Sequence, residues 1–186
     1  MSEDEAFKHI GQLIDDSCDG TFERGLTRAF YLLDDLTQRP LTEENAVLAE
    51  YFRANAWAAR SQIANTRQSW SWENIELQEE MLALSRAVNH PGFIKLNKIR
   101  RCQILTNRAN LLNRVGRSID AIAGWDDALC ICPHFAITLG NRGAGLRHYA
   151  GMVDDNRERA ILSPHAYDSL CKALAPAASY GSPNFL

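Results

Sequence analysis

The sequence lacks the features of membrane, secreted and disulfide-bonded proteins. No apolar run approaches the roughly 20 residues that a membrane-spanning helix needs. The first ten residues, MSEDEAFKHI, are acidic and do not show the basic-then-apolar pattern of a secretion signal. The five cysteines are odd in number and irregularly spaced, so they predict no disulfide framework. We therefore expect a reduced, cytoplasmic protein.

Strong charge and catalytic motifs are also missing. The formal net charge of -3 creates no overall field toward nucleic acid or an anionic membrane. No Gly-rich phosphate loop, HExxH helix or nucleophile elbow occurs. Cys130 and Cys132, even with His134, supply too few ligands for a zinc site, so we interpret them as buried thiols. We expect no metal, no cofactor and no catalytic residue in this chain.

The chain does contain helical periodicity throughout, and no strand-like alternation or Asn-Gly hairpin interrupts it. We expect an all-α fold, with residues 1–175 forming one domain and residues 176–186 forming a flexible tail. The predicted helices cover residues 3–18, 21–39, 44–64, 73–88, 93–114, 117–132, 134–150 and 165–175. The last of them is expected to begin after Ser163-Pro164, because proline is common at a helix start.

The segment from Cys102 to Pro133 shows the pattern most clearly. It reads as an amphipathic helix, a turn at Gly116, a second amphipathic helix and a proline stop. Small residues such as Ala109 are predicted where the two helices cross, because only a small side chain lets the backbones approach closely. The predicted core is Leu105, Ala109, Leu112, Ala121, Ile122, Trp125, Ala128 and Leu129.

An internal repeat supports this interpretation. The segment LTNRANLL at residues 105–112 returns as LGNRGAGL at residues 139–146, displaced by 34 residues. Gly140, Gly143 and Gly145 each weaken the second copy by roughly 1 kcal/mol relative to alanine. Their presence predicts unusually close contact with a neighbouring helix.

The repeat length, the small Ala109, the aromatic Trp125 and the closing Pro133 resemble a tetratricopeptide (TPR) repeat. The segments YFRANAW, ILTNRANLLNRVGRSIDAIAGWDDALCICP and FAITLGNRGAGLRHYA are also similar to the N-terminal half of bacterial TPR–HEPN proteins. This resemblance implies a right-handed array of about seven or eight antiparallel helices. It also implies a non-enzymatic scaffold that binds a protein or peptide partner in a concave groove.

The same resemblance implies an alternative function. The HEPN module is helical and often acts as a metal-independent ribonuclease in toxin or defence systems, using an arginine followed a few residues later by a histidine. Arg142…His148 and Arg159…His165 have that spacing, although Arg142 also lies inside the repeat. The chain would then be a regulatory or accessory part of a HEPN-type ribonuclease whose nuclease half lies elsewhere.

Polar residues three to four positions apart on one helix share a face, which favours a partner-binding groove over a merely solvated surface. The partner would offer an acidic segment or a carboxylate to arginine and amide donors. Asn107 and Asn141 recur in phase and are expected to bond neighbouring backbone instead. The predicted groove residues are Gln103, Thr106, Asn110, Asn113, Arg114, Arg147 and His148.

Two further features leave alternatives open. Trp70 and Trp72 lie in a polar stretch and could anchor an interface or fold back onto a neighbouring helix. Basic residues between Lys95 and Arg101 could contact RNA, but such a strip more often forms a solvated helix face, so we expect no nucleic-acid partner.

Overall fold

A computed structural model describes residues 2–20, 24–64 and 73–175 of the chain. These residues form helices without any strand, which confirms the all-α class. No helix in these three ranges is both long and apolar enough to cross a membrane. The helices are α1 Glu3–Cys18, α2 Gly25–Thr37, α3 Glu43–Ile63, α4 Ile75–Asn89, a short 3-10 helix Pro91–Lys95, α5 Lys98–Arg114, α6 Ser118–Ile131, α7 Ala136–Met152 and α8 Asn156–Leu174.

The predicted helix from Phe93 to Arg114 is wrong at its start, because a 3-10 helix and a break precede α5. The Asn97 side chain accepts a hydrogen bond from the backbone N–H of Arg100 at 2.8 Å, an interaction typical of a helix N-terminus. A Cβ on Gly92 would overlap the backbone of Glu43, so only glycine allows this close approach. The Asn97 side chain therefore caps the beginning of α5, and the tight contact at Gly92 belongs to the 3-10 helix before it.

The prediction that the last helix begins after Pro164 is also wrong. Helix α8 begins at Asn156, and Pro164 lies inside it. The Asp155 side chain accepts a hydrogen bond from the Arg157 backbone N–H at 2.7 Å and so caps the helix earlier. Proline removes one helical hydrogen bond, but the helix tolerates this loss while it packs along α7.

The chain divides into two compact units, Met1–Ile104 and Leu105–Leu186, and the boundary falls within α5. The expectation of one domain over residues 1–175 stays a prediction. In the first unit, helices α1, α2 and α3 share a core that contains Ile10, Leu33 and Ala56. The Phe7 and Phe52 rings stack across this core with their centroids 5.6 Å apart.

The basic strip of the first unit is used in packing rather than forming a fully solvated face. The Lys95 ammonium pairs with the Glu43 carboxylate at 3.0 Å. The Arg101 guanidinium lies over the Phe93 ring at 5.6 Å, and Arg100 lies over the Tyr51 ring at 5.3 Å. These contacts give Lys95, Arg100 and Arg101 a structural role in the first unit.

The second unit contains the repeated segment, and the burial of side chains recurs with the repeat. Leu105 and Leu139 are both buried, as are Leu112 and Leu146. Of the predicted core, Ile122 and Leu129 are only half-buried. The predicted core residues that are buried are Leu105, Ala109, Leu112, Ala121, Trp125 and Ala128.

Candidate binding groove

Trp125 is the largest buried side chain in the described part of the second unit, with 1% of its surface exposed. It reaches α7, where a Cβ on Gly145 would overlap its six-membered ring. Behind it, a Cβ on Gly124 would lie 3.1 Å from the Ala109 Cβ, so α5 and α6 also approach closely. Gly145 thus makes room for the ring, and Gly124 and Ala109 let α5 and α6 approach closely, as the sequence predicted for small residues at Ala109 and Gly145.

The indole of Trp125 orients an asparagine at the edge of the core. Its Nε1–H donates a hydrogen bond of 2.9 Å to the Oδ1 of Asn110. An indole N–H can only donate, so the acceptor atom of Asn110 must face the tryptophan. The amide nitrogen of Asn110, with its two N–H donors, therefore faces away from the core, and Asn110 itself is exposed.

Asn110 belongs to an open groove of about 260 Å³ between α5, α6 and α7, which we call the asparagine groove. Asn113 also uses its Oδ1 as an acceptor, from the Ser118 hydroxyl at 3.5 Å. Two of the three asparagines thus turn their acceptor toward the protein, which leaves mainly N–H donors for a ligand. The groove is lined by Asn110, Asn113, Trp125, Asn141, Ala144 and Gly145.

Thr106 contradicts the sequence prediction. It was expected on the groove face, but its side chain is 1% exposed and lies 2.6 Å, hydroxyl to hydroxyl, from Thr138 of α7. The two threonines satisfy each other inside the core, because a buried hydroxyl needs a hydrogen-bond partner. Helical spacing placed Thr106 on the face of Asn110 but could not show that α7 covers that turn.

The remaining predicted groove residues do not form one cluster. Gln103 belongs to the first unit. Arg147 lines a different groove, between α7 and α8. Arg114 follows Asn113 at the end of α5 and is exposed, and exposed His148 lies two helical turns after Asn141 on α7. Only Asn110 and Asn113 of the predicted set line the asparagine groove itself.

Arg142 has a structural role in the second unit. Its Nε donates to Asp126 Oδ1 at 2.6 Å, and its Nη1 donates to the Ser169 hydroxyl at 2.8 Å. These bonds tie α6, α7 and α8 together. Arg159, the arginine of the other spaced pair, donates from Nη2 to the Val153 carbonyl at 2.5 Å.

The interpretation of Cys130 as a buried thiol is wrong, because Cys130 is exposed on α6. Cys132 is half-buried just beyond the end of the same helix. No group of three metal-ligating side chains that could hold an ion occurs among the described residues. The predicted interface pair, Trp70 and Trp72, lies outside the described residues.

Sequence reasoning missed three groove residues. Asn141 was expected to bond local backbone, yet it lines the groove with Ala144 and Gly145. The sequence did contain a signal for Asn141. Asn141, Gly145 and His148 lie three to four positions apart, so they share a face of α7. That face becomes a groove only because Trp125 comes from the neighbouring helix.

Comparisons with known proteins add no identity. No protein family model, no curated protein and no solved structure matches the chain.

Proposed function

We propose that the chain is a non-enzymatic, TPR-like interaction scaffold that binds a segment of a partner protein along the asparagine groove. The observation that carries this proposal is the orientation of Asn110. Because Trp125 occupies its Oδ1, its amide hydrogens are presented to the groove. A ligand that pairs with these amide hydrogens supplies hydrogen-bond acceptors.

A peptide main chain supplies acceptors at regular intervals, since each residue carries one carbonyl with two lone pairs. The small residues Ala144 and Gly145 let a main chain approach α7 closely. The side chains that line the groove carry no formal charge, so recognition depends on hydrogen bonds more than on attraction between charges. These properties favour a peptide backbone over a strongly charged ligand such as a phosphate.

A photo-crosslinking experiment tests this surface. Benzoylphenylalanine is placed at Ala144, which lines the groove and is exposed, and separately at Ala123, which is exposed on α6 outside the groove. After irradiation in cells, we expect a discrete protein adduct from position 144 and none at the same mass from position 123. Adducts of the same mass from both positions, or none from position 144, would contradict the proposal.

Isosteric substitutions test the chemistry of the same site. Asn113→Asp together with Asn141→Asp keeps the side-chain shape but replaces amide donors by acceptors. The adduct at position 144 should then disappear, because carboxylates repel carbonyl oxygens. Asn156→Asp is the matched control, since Asn156 is exposed at the start of α8 and does not line the groove.

A further inference from the structure

A second, larger groove lies between the C-terminal half of α7 and the N-terminal two thirds of α8. Its volume is about 470 Å³, and we call it the arginine groove. Buried Ala150 and Ala166 lie along it, together with the half-buried Leu170. Tyr167 also lines it, although 72% of that residue is exposed. Most of this lining is apolar.

The charged side chains that line this groove are all positive. Arg147 comes from α7 and Arg159 from the first turns of α8, and no carboxylate is among the lining residues. Arg159 gives one Nη2 hydrogen bond to the Val153 carbonyl, so its other guanidinium donors remain for a ligand.

The shape of the groove suits a helix. Two helices packed side by side leave a furrow between them that a third helix can fill. The lining on α8 extends from Arg159 to Leu170, which at ~1.5 Å per residue is about 16 Å, or three turns. The small side chains Ala150 and Ala166 let a third backbone approach closely.

We propose that the arginine groove docks an amphipathic helix of a partner protein, with apolar residues facing Ala166 and Leu170 and carboxylates facing Arg147 and Arg159. Charge complementarity selects this occupant, because every charged group on the lining is a cation. This docking surface is separate from the asparagine groove and does not depend on the function proposed for it.

The test uses a fluorescein-labelled peptide of about twelve residues with leucines at i, i+3, i+4 and i+7 and glutamates on its flanks. A second peptide carries lysine in place of each glutamate. A third has the composition of the first, with the leucines moved out of helical spacing. Fluorescence anisotropy measures the affinity of the full chain for each peptide.

We expect the acidic helical peptide to bind at least about tenfold more tightly than either control peptide. Arg147→Glu with Arg159→Glu should abolish that preference, and Arg147→Glu alone should reduce it. Arg157→Glu is the matched control, because Arg157 is exposed on the same helix but does not line the groove. Circular dichroism confirms that each variant is folded.

Three results would overturn the proposal. Equal affinity for the acidic and lysine peptides would mean that the two arginines do not contribute to recognition. Equal affinity for the displaced-leucine peptide and the acidic helical peptide would mean that the groove does not recognise an amphipathic helix. If Arg157→Glu weakened binding of the acidic peptide as much as Arg147→Glu does, the loss of affinity would follow from the net charge of the protein and not from the groove. None of these results bears on crosslinking at Ala144, so the two proposals fail independently.

Discussion

The two helix pairs of the second unit share a pattern of burial and differ in the surface they present. The first pair is residues 105–114 of α5 with α6, and the second pair is α7 with α8. Matching leucines are buried in both pairs, 34 residues apart. The edge of the first pair carries the amides of Asn110, which Trp125 orients, and of Asn113, whereas the second pair carries an apolar furrow with two arginines. A repeat can therefore preserve its core spacing while neighbouring surfaces differ in the side chains that they expose.

Glycines of α7 account for part of this difference. Gly145 faces Trp125 of the first pair, whereas Gly143 faces Leu170 of the second, whose Cγ would lie 2.7 Å from an added Cβ. Two glycines two positions apart thus receive large residues from different helices, so α7 packs closely on both sides.

The largest expected effect comes from removing the residue that distinguishes the first pair. Trp125→Ala should lower the free energy of unfolding by about 3–5 kcal/mol, because it empties a buried aromatic site. Urea denaturation measures the change. Ile119→Ala on the same helix is the control, since Ile119 is 67% exposed. A urea denaturation curve of Trp125→Ala close to that of the wild type would mean that the ring is not part of the core.

A smaller loss of stability should follow when an added methyl group occupies space that the Trp125 ring needs. Gly145→Ala should destabilise the chain by about 1–3 kcal/mol, because the new methyl group overlaps Trp125. Gly151→Ala on the same helix meets no atom within 4 Å and should stabilise by about 0.5–1 kcal/mol through helix propensity. The opposite signs, measured by thermal melting, test the close approach. Stabilisation by both substitutions would contradict it.

The two repeat-related arginines should differ in their structural contribution. Arg142→Met should lower the free energy of unfolding by about 1–2 kcal/mol, because it breaks charge-assisted bonds to Asp126 and Ser169 at a partly exposed site. Arg108 occupies the equivalent position in the first pair, and its buried Nε has no hydrogen-bond partner among the described atoms. Arg108→Met should therefore change stability by less than about 0.5 kcal/mol. Equal losses in a denaturation series would reject this contrast.

The smallest expected effect concerns ionisation on α8. The hydrogen bond to Cys171 raises the pKa of the Tyr167 phenol above its ordinary value. Because the folded-state pKa is raised, any associated stability is present at lower pH and is lost as the pH rises through that pKa. Cys171→Ala should lower the Tyr167 pKa in a spectrophotometric titration of the phenolate absorbance. An unchanged titration curve would mean that the cysteine does not interact with the phenol.

Much of the fold could be predicted from sequence because helical periodicity and capping are local. The helix predicted for residues 44–64 agrees closely with α3, which Thr42 caps by accepting a hydrogen bond from the Asn45 N–H at 3.2 Å. Pro164 misled because proline is a common helix-start signal, whereas the cap at Asp155 begins α8 earlier and the helix continues through the proline while it packs against α7. An earlier local cap and a tertiary contact therefore set the boundary together.

The candidate site was less predictable because it depends on which helix covers which face. The polar pattern of α5 identified Asn110 and Asn113, but the same pattern included Thr106, which α7 buries. Arg147 was assigned to that groove, yet it lines the arginine groove because α8 packs beside α7. Periodicity assigns a residue to a face, and only the neighbouring helices determine whether that face is open.

The most direct test of the central claim is the affinity of the crosslinked partner for variants of the asparagine groove. Once that partner is purified, isothermal titration calorimetry compares the wild type with Asn113→Asp/Asn141→Asp and with Asn156→Asp. We expect the groove variant to bind at least about tenfold more weakly, because two sets of donors become acceptors, and we expect Asn156→Asp to bind like the wild type. Unchanged affinity in the groove variant would contradict the claim that outward-facing asparagine donors recognise the partner.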